Sequence, residues 1–332
     1  MAFTSIDDPS VYFQIKLYAG DASATAHTLD GDTDLQPDVA WFKCRTRAEN
    51  HRLVDALRGT NSLKPNTNGA EVDSGSDGFT SLDSDGFTLS GDGGGGEFNA
   101  SRQNYVAWCW KESATAGFDI VSFTGNGTAR TISHSLSAVP KILLVKNRSV
   151  SNDWNLYHHS TGNTHRTIIN NTTVKEDTDS AWNDTTPTSS VFSVGTNTNV
   201  NQNTSSMIAY CWAEKQGFSK FGSYVGNGNA DGTFVYTGFR PAFIIFKKSS
   251  GGGDDWSMYD YKRTGYNSAG NEELRPNTTA AEQDVDRIDI LSNGFKARTS
   301  SGETNESGST YVYMAWAKAP FVNSNGVPCN AR

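Results

Sequence analysis

The sequence has little that would suit it to a membrane, a nucleic acid or a helical bundle. No stretch of its 332 residues reaches the roughly 18 consecutive apolar residues of a membrane-spanning helix. Charged residues make up only 19%, and 36 acids outweigh 28 bases to leave a net charge of −8. There is no basic run and no basic patch interleaved with aromatics, so a phosphate backbone would be repelled. Cys44, Cys109, Cys211 and Cys329 lie far apart with no CxxC pair, which excludes the usual zinc and redox motifs. They read as buried free thiols in a reducing compartment. The segment Met1–Asp8 lacks the basic and apolar regions of a secretory signal, so synthesis and assembly in a cytoplasm are expected. Good helical stretches are scarce as well. Residues 49–57 form the best one, and an Ala/Glu patch at 280–287 is weaker.

What the chain does have is bulk and turns. Aromatics reach 11%, with 8 Trp, 12 Tyr and 17 Phe, enough large side chains to fill a core. Gly, Asn, Thr and Ser replace the missing aliphatics, and these favour turns and strand edges over helices. This is the composition of an all-β protein.

Laid against itself, the sequence shows three diverged copies of one unit. Pro37, Pro140 and Pro241 each open a short, mostly apolar run that closes on Lys43, Lys146 and Lys247. A second landmark follows at His51–Asp55, Trp154–His158 and Trp256–Asp260. A third is the run Asp85–Leu89, answered at Ser292–Phe295 and more weakly at Val191–Val194. The fourth ends in Trp110, Trp212 and Trp316, spaced by 102 and 104 residues. Copies at 12–112, 117–213 and 217–319 are expected, with an N-terminal segment 1–11 and a C-terminal tail 320–332. Connectors this short imply copies that pack together rather than swing freely. The expected fold is three tandem β-sandwich, jelly-roll-like repeats, with strands at 39–43, 142–146 and 243–247 equivalent. The Gly-Asn-Gly triplets at 125–127 and 226–228 mark tight turns that need positive φ.

Motifs that would carry chemistry fail on inspection. The run Gly91–Glu97 lacks the Gly-Lys-Ser/Thr of a phosphate loop and reads as a flexible connection. Asp30, Asp32 and Asp34 alternate as calcium ligands do, but an EF-hand glycine and glutamate would fall on Leu35 and Trp41. His158, His159 and His165 lack the helical spacing and glutamate of a zinc hydrolase and read as a local surface feature. The recurrent Trp110, Trp212 and Trp316 read as core. Trp182 and Tyr266, in variable loops, are the candidate contacts for a ligand or partner. No catalytic residue, cofactor or metal site is expected, and the chain is not expected to be an enzyme.

Several segments resemble a family of marine tailed-phage structural proteins, commonly labelled tail fibre or virion structural proteins. They are Ser5–Ser10 with Tyr12–Gln14, Gln36–Lys43, Val54–Gly59, Asp85–Leu89 and Tyr105–Lys111. The likeness is strongest in the first copy and declines through the third. Copies two and three lack the Asp55-Ala-Leu-Arg58-Gly59 segment, so its contribution is expected in copy one alone. The resemblance implies a homo-oligomeric protein on the virion exterior, assembled with other virion proteins, a tail fibre or tail-associated attachment component. Capsid decoration and a tail glycan-binding or depolymerase role are the alternatives. A host surface glycan is the expected non-viral partner, on variable loops at 62–78, 170–188 and 268–284.

Overall fold

The computed structural model describes residues 4–75, 78–91, 95–264 and 272–330. The fold is all-β. Its first strands are Phe13–Ala19 (β1), Thr25–Thr28 (β2), Val39–Cys44 (β3), Arg52–Asp55 (β4) and Asn61–Leu63 (β5). Val72–Asp73 (β6), Phe79–Asp83 (β7), Gly86–Leu89 (β8) and Asn104–Trp110 (β9) follow. They build a large sheet in the order β1-β9-β3-β4-β5-β6 and a small one, β2-β8-β7.

The next strands are Phe118–Thr124 (β10), Arg130–Ser133 (β11), Ile142–Asn147 (β12) and Asn155–His158 (β13). After them come His165–Ile168 (β14), Glu176–Asp177 (β15), Val191–Val194 (β16) and Ser206–Trp212 (β17). Their sheets run β10-β17-β12-β13-β14-β15 and β11-β16. The last set begins with Ser219–Val225 (β18), Phe234–Tyr236 (β19), Phe239–Lys248 (β20) and Ser257–Asp260 (β21). It ends with Glu272–Glu273 (β22), Gln283–Asp284 (β23), Ile288–Leu291 (β24), Gly294–Ala297 (β25) and Thr310–Pro320 (β26). These give β18-β26-β20-β21, β19-β25-β24 and β22-β23. The three large sheets thus start with one shared order, and β3, β12 and β20 hold the same place in it. All named pairings are antiparallel.

Register repeats too. Trp110 lies opposite Phe13 and Val39, Trp212 opposite Phe118 and Ile142, and Trp316 opposite Ser219 and Phe243. The strand runs β3, β12 and β20 are apolar because both faces are covered. One face packs on its own small sheet, around Phe42 and Phe87, Val145 and Phe192, or Phe246 and Phe295. The other face joins one core common to all three sets, which includes Trp41, Trp108, Trp154, Tyr210 and Trp256.

Several local expectations need correction. Residues 49–57 hold β4 rather than a helix, and Arg52–Asp55 is buried throughout. Pairing with β3 and β5 overrides helix propensity there. In 280–287 the regular element is the short strand β23. Cys329 is exposed, unlike the three buried cysteines. In the Gly-Asn-Gly turns only the second glycine has positive φ, +71° at Gly127 and +68° at Gly228. The first is needed for close approach, since a Cβ on Gly125 would lie 2.1 Å from the Gln202 carbonyl oxygen.

Candidate functional site

The densest chemistry lies where the three sheet sets meet. At the centre the indoles of Trp110, Trp212 and Trp316 form a closed triangle, with centroid separations of 6.5, 5.9 and 5.5 Å. Every pair is edge to face, inclined by 67–70°. The Nε1 groups of Trp110 and Trp212 are buried without a conventional acceptor. Edge-to-face rings offer such an N–H a π face instead. A cavity of about 20 Å³ with wholly apolar lining sits beside the triangle; it has room for a water but offers it no polar partner.

Around this core runs a cycle of polar contacts, each set reaching into its neighbour. Trp154 Nε1 donates to the Lys64 carbonyl at 3.0 Å, and Trp256 Nε1 to the Ile168 carbonyl at 3.0 Å. His51 takes the same position in the first set, with Nε2 3.0 Å from the Arg275 carbonyl. Each acceptor lies two residues before an asparagine, Asn66, Asn170 or Asn277. That asparagine's Oδ1 accepts the backbone N–H of His51, Trp154 or Trp256 in its own set.

Two residues beyond each asparagine comes a second carbonyl, and here the repeated lysine finds its role. Lys146 Nζ donates to Asn68 O at 3.1 Å, Lys247 Nζ to Thr172 O at 2.9 Å, and Lys43 Nζ to Thr279 O at 3.2 Å. Each ammonium also donates to a carbonyl of its own set, at Asn147, Asp254 and Cys44 respectively. All three lysines are buried, and burial pulls each from 10.5 down to about 8.

A third ring is built on aspartate and arginine. Arg58 Nε donates to Asp55 Oδ2 at 2.6 Å, and Tyr210 of the second set donates its hydroxyl to the same oxygen at 2.5 Å. In the third set Arg263 Nε meets Asp260 Oδ2 at 2.6 Å, and Trp108 Nε1 of the first set donates to it at 3.0 Å. The Asp-Arg device is therefore shared by two sets, not confined to the first. At the third junction the strand position equivalent to Trp108 and Tyr210 holds Met314, a side chain with nothing to donate. There the aspartate's place is taken by His158, whose Nε2 lies 3.2 Å from the Tyr313 carbonyl. Burial, more than any other cause, lowers its pKa to about 3, so it stays neutral. Two of the junctions add a bidentate ion pair, Arg148 with Glu71 and Arg45 with Glu282.

The expected site residues fare differently. Trp182 is 1% exposed, packs in the core of the second set and donates Nε1 to the His165 carbonyl at 3.0 Å. It is not a surface contact. Tyr266 lies outside the described residues. The histidines are not a surface cluster either: His158 is fully buried, and His159 Nε2 lies 2.8 Å from Phe221 O of the third set. Asp30 pairs with Lys262 of the third set and with Lys16. Among the described residues no group of three or more His, Cys, Asp or Glu is placed to hold a metal. Trp110, Trp212 and Trp316 are core, as are the other five tryptophans.

Neither the curated proteins nor the solved structures contain a match to this chain. One family model does match, over residues 8–320, and the chain belongs to that family, described as a domain of unknown function (DUF7483).

Proposed function

We propose that the chain is a non-enzymatic structural protein on the exterior of a tailed-phage particle, a tail fibre or tail-associated attachment component. The observation that carries this reading is where the ionisable groups go. Lys43, Lys146, Lys247, Asp55, Arg58, Asp260 and Arg263 are buried, and their polar atoms bind one part of the chain to another. Buried groups paired across such junctions rigidify a fold; among these groups the Nη1 atoms of Arg58 and Arg263 lack a hydrogen-bond acceptor and face Glu71 and Glu282 at 3.9 and 3.5 Å. A scaffold of this kind holds surface segments in fixed relation, which suits attachment to a particle and contact with a host. The resemblance of the first copy to marine phage structural proteins supports the same reading.

Gold-labelled antibodies against the chain, applied to intact particles, test it. Label on the tail is the expected result. Label confined to the head would make it a capsid decoration protein, and unlabelled particles whose disrupted proteins also lack the chain would overturn the reading. The non-enzymatic part is tested by incubating the pure protein with host polysaccharide. No release of reducing ends is expected; turnover abolished by changing one acidic pair would show a depolymerase.

A further inference from the structure

Large aromatics are almost all inside this protein. Among the described residues only Phe234 and Tyr236 are exposed, at 44% and 58%. Both lie on β19, an edge strand of its small sheet, and the buried Val235 between them puts the two rings on one outward face. Along a strand that spacing is about 7 Å.

The other two sets supply an internal comparison. Register against the neighbouring strand aligns Val235 with His27 and Ile132, since these face Phe295, Phe87 and Phe192. The outward positions are then Ala26 and Thr28 in the first set, and Thr131 and Ser133 in the second, all exposed. Small or hydroxylated residues suffice for solubility at this edge. The third set alone replaces both with aromatics, against the cost of exposing them.

Tyr236 also lines an open cleft of about 340 Å³, together with Glu214, Gln216, Lys220 and Thr237. That volume is at the lower end of small-ligand sites. Its one carboxylate and one ammonium pair with each other, Lys220 Nζ to Glu214 Oε1 at 2.6 Å. The site therefore has no net charge to offer an anion, and the chain's overall −8 disfavours one further. An exposed ring beside amide, hydroxyl, carboxylate and ammonium groups matches a ligand with apolar faces and a rim of hydroxyls.

We propose that the cleft beside β19 binds a neutral oligosaccharide, with Tyr236 and Phe234 against its sugar faces and Glu214, Gln216 and Lys220 on its hydroxyls. This deepens the attachment reading above and names its contact surface. The probe is an array of neutral glucose-, galactose-, mannose- and N-acetylglucosamine-based oligosaccharides, with sialylated and sulfated ones alongside. The full chain is expected to retain at least one neutral oligosaccharide. Tyr236→Ala should weaken that binding at least tenfold and Phe234→Ala by less, with the melting temperature of both variants unchanged. Thr28→Ala, at the matching edge of the first set, should bind as the parent does. Failure to retain any neutral probe, a preference for the anionic ones, or binding unaffected by Tyr236→Ala would overturn the proposal. Particle labelling is scored independently. Tail label without Tyr236-dependent binding sinks this inference alone, and binding without particle label sinks the attachment reading alone.

Discussion

The indoles of Trp110 and Trp316 meet edge to face, their centroids 5.5 Å apart and their planes inclined by 69°. The contact joins the last strand of the first set to the last strand of the third, and Trp212 closes the triangle from the second. Replacing Trp316 by alanine removes ring contacts to all sides next to an existing cavity, where collapse is limited. The expected loss is about 3–5 kcal/mol in urea denaturation. A loss below about 1 kcal/mol would mean that the triangle contributes little to holding the sets together.

Tyr210 and Asp55 provide a separable measure of one junction. Tyr210→Phe keeps the ring but removes the hydroxyl that donates to Asp55 and accepts from Arg58. It should cost about 1–3 kcal/mol. Asp55→Ala strips a buried guanidinium of its main partner and should cost about 3–5 kcal/mol. The double variant should fall short of the sum by at least about 0.5 kcal/mol, because both changes break one network. Strict additivity would show that the two sets do not communicate through these atoms.

The three clamp lysines make stability depend on alkaline pH. Their folded pKa of about 8 lies below the unfolded value near 10.5. Between those values the unfolded chain binds more protons, so the lysine contribution rises with pH and is lost as pH falls through about 8. Burial also pushes up the Cys109 and Cys211 thiols, which ionise near 9.0 in the unfolded chain and oppose this rise. The three lysines together should outweigh these two and raise the urea midpoint between pH 8 and 9.5. Lys43→Met keeps the buried stem and removes one titrating group, so its climb should be shallower. It should also be less stable at pH 9.5, because the Thr279 and Cys44 carbonyls lose their donor. A climb as steep in Lys43→Met as in the parent would contradict the assignment.

Trp182 now belongs with stability rather than recognition. Trp182→Ala should cost about 3–5 kcal/mol through lost core packing and an unpaired His165 carbonyl. Glycan retention measured at a temperature where the variant is folded should match the parent. A ligand-binding defect without destabilisation would restore it as a contact residue.

The strand runs ending at Lys43, Lys146 and Lys247 were legible because apolar residues buried on both faces must recur wherever the same sheet recurs. The lysines themselves were legible only as landmarks. Their acceptors are the backbone carbonyls of Asn68, Thr172 and Thr279, and a carbonyl is present on every residue, so no side-chain pattern announces it. The one available signal was the asparagine two residues earlier, Asn66, Asn170 or Asn277, whose Oδ1 holds a backbone N–H of the same set. Asp55-x-x-Arg58 and Asp260-x-x-Arg263 were similarly hidden. The intervening residues differ, and only the spacing of the charged pair is kept. The place of Trp182 is not legible because a variable loop need not be an exposed one: this loop folds a single helical turn, Asp179–Trp182, that buries the indole. The exposure of Phe234 and Tyr236 is not legible in the sequence, because two aromatics flanking a valine look like an ordinary strand; only the register reveals that they face outward.

A shared core and a closed cycle of buried polar contacts should make the three sheet sets unfold as one cooperative body. Differential scanning calorimetry of the intact chain addresses it most directly. A single transition is expected, with calorimetric and van't Hoff enthalpies that agree, and it should shift as a whole in Trp316→Ala. Two or three separable transitions, with only one of them moved by that substitution, would contradict it.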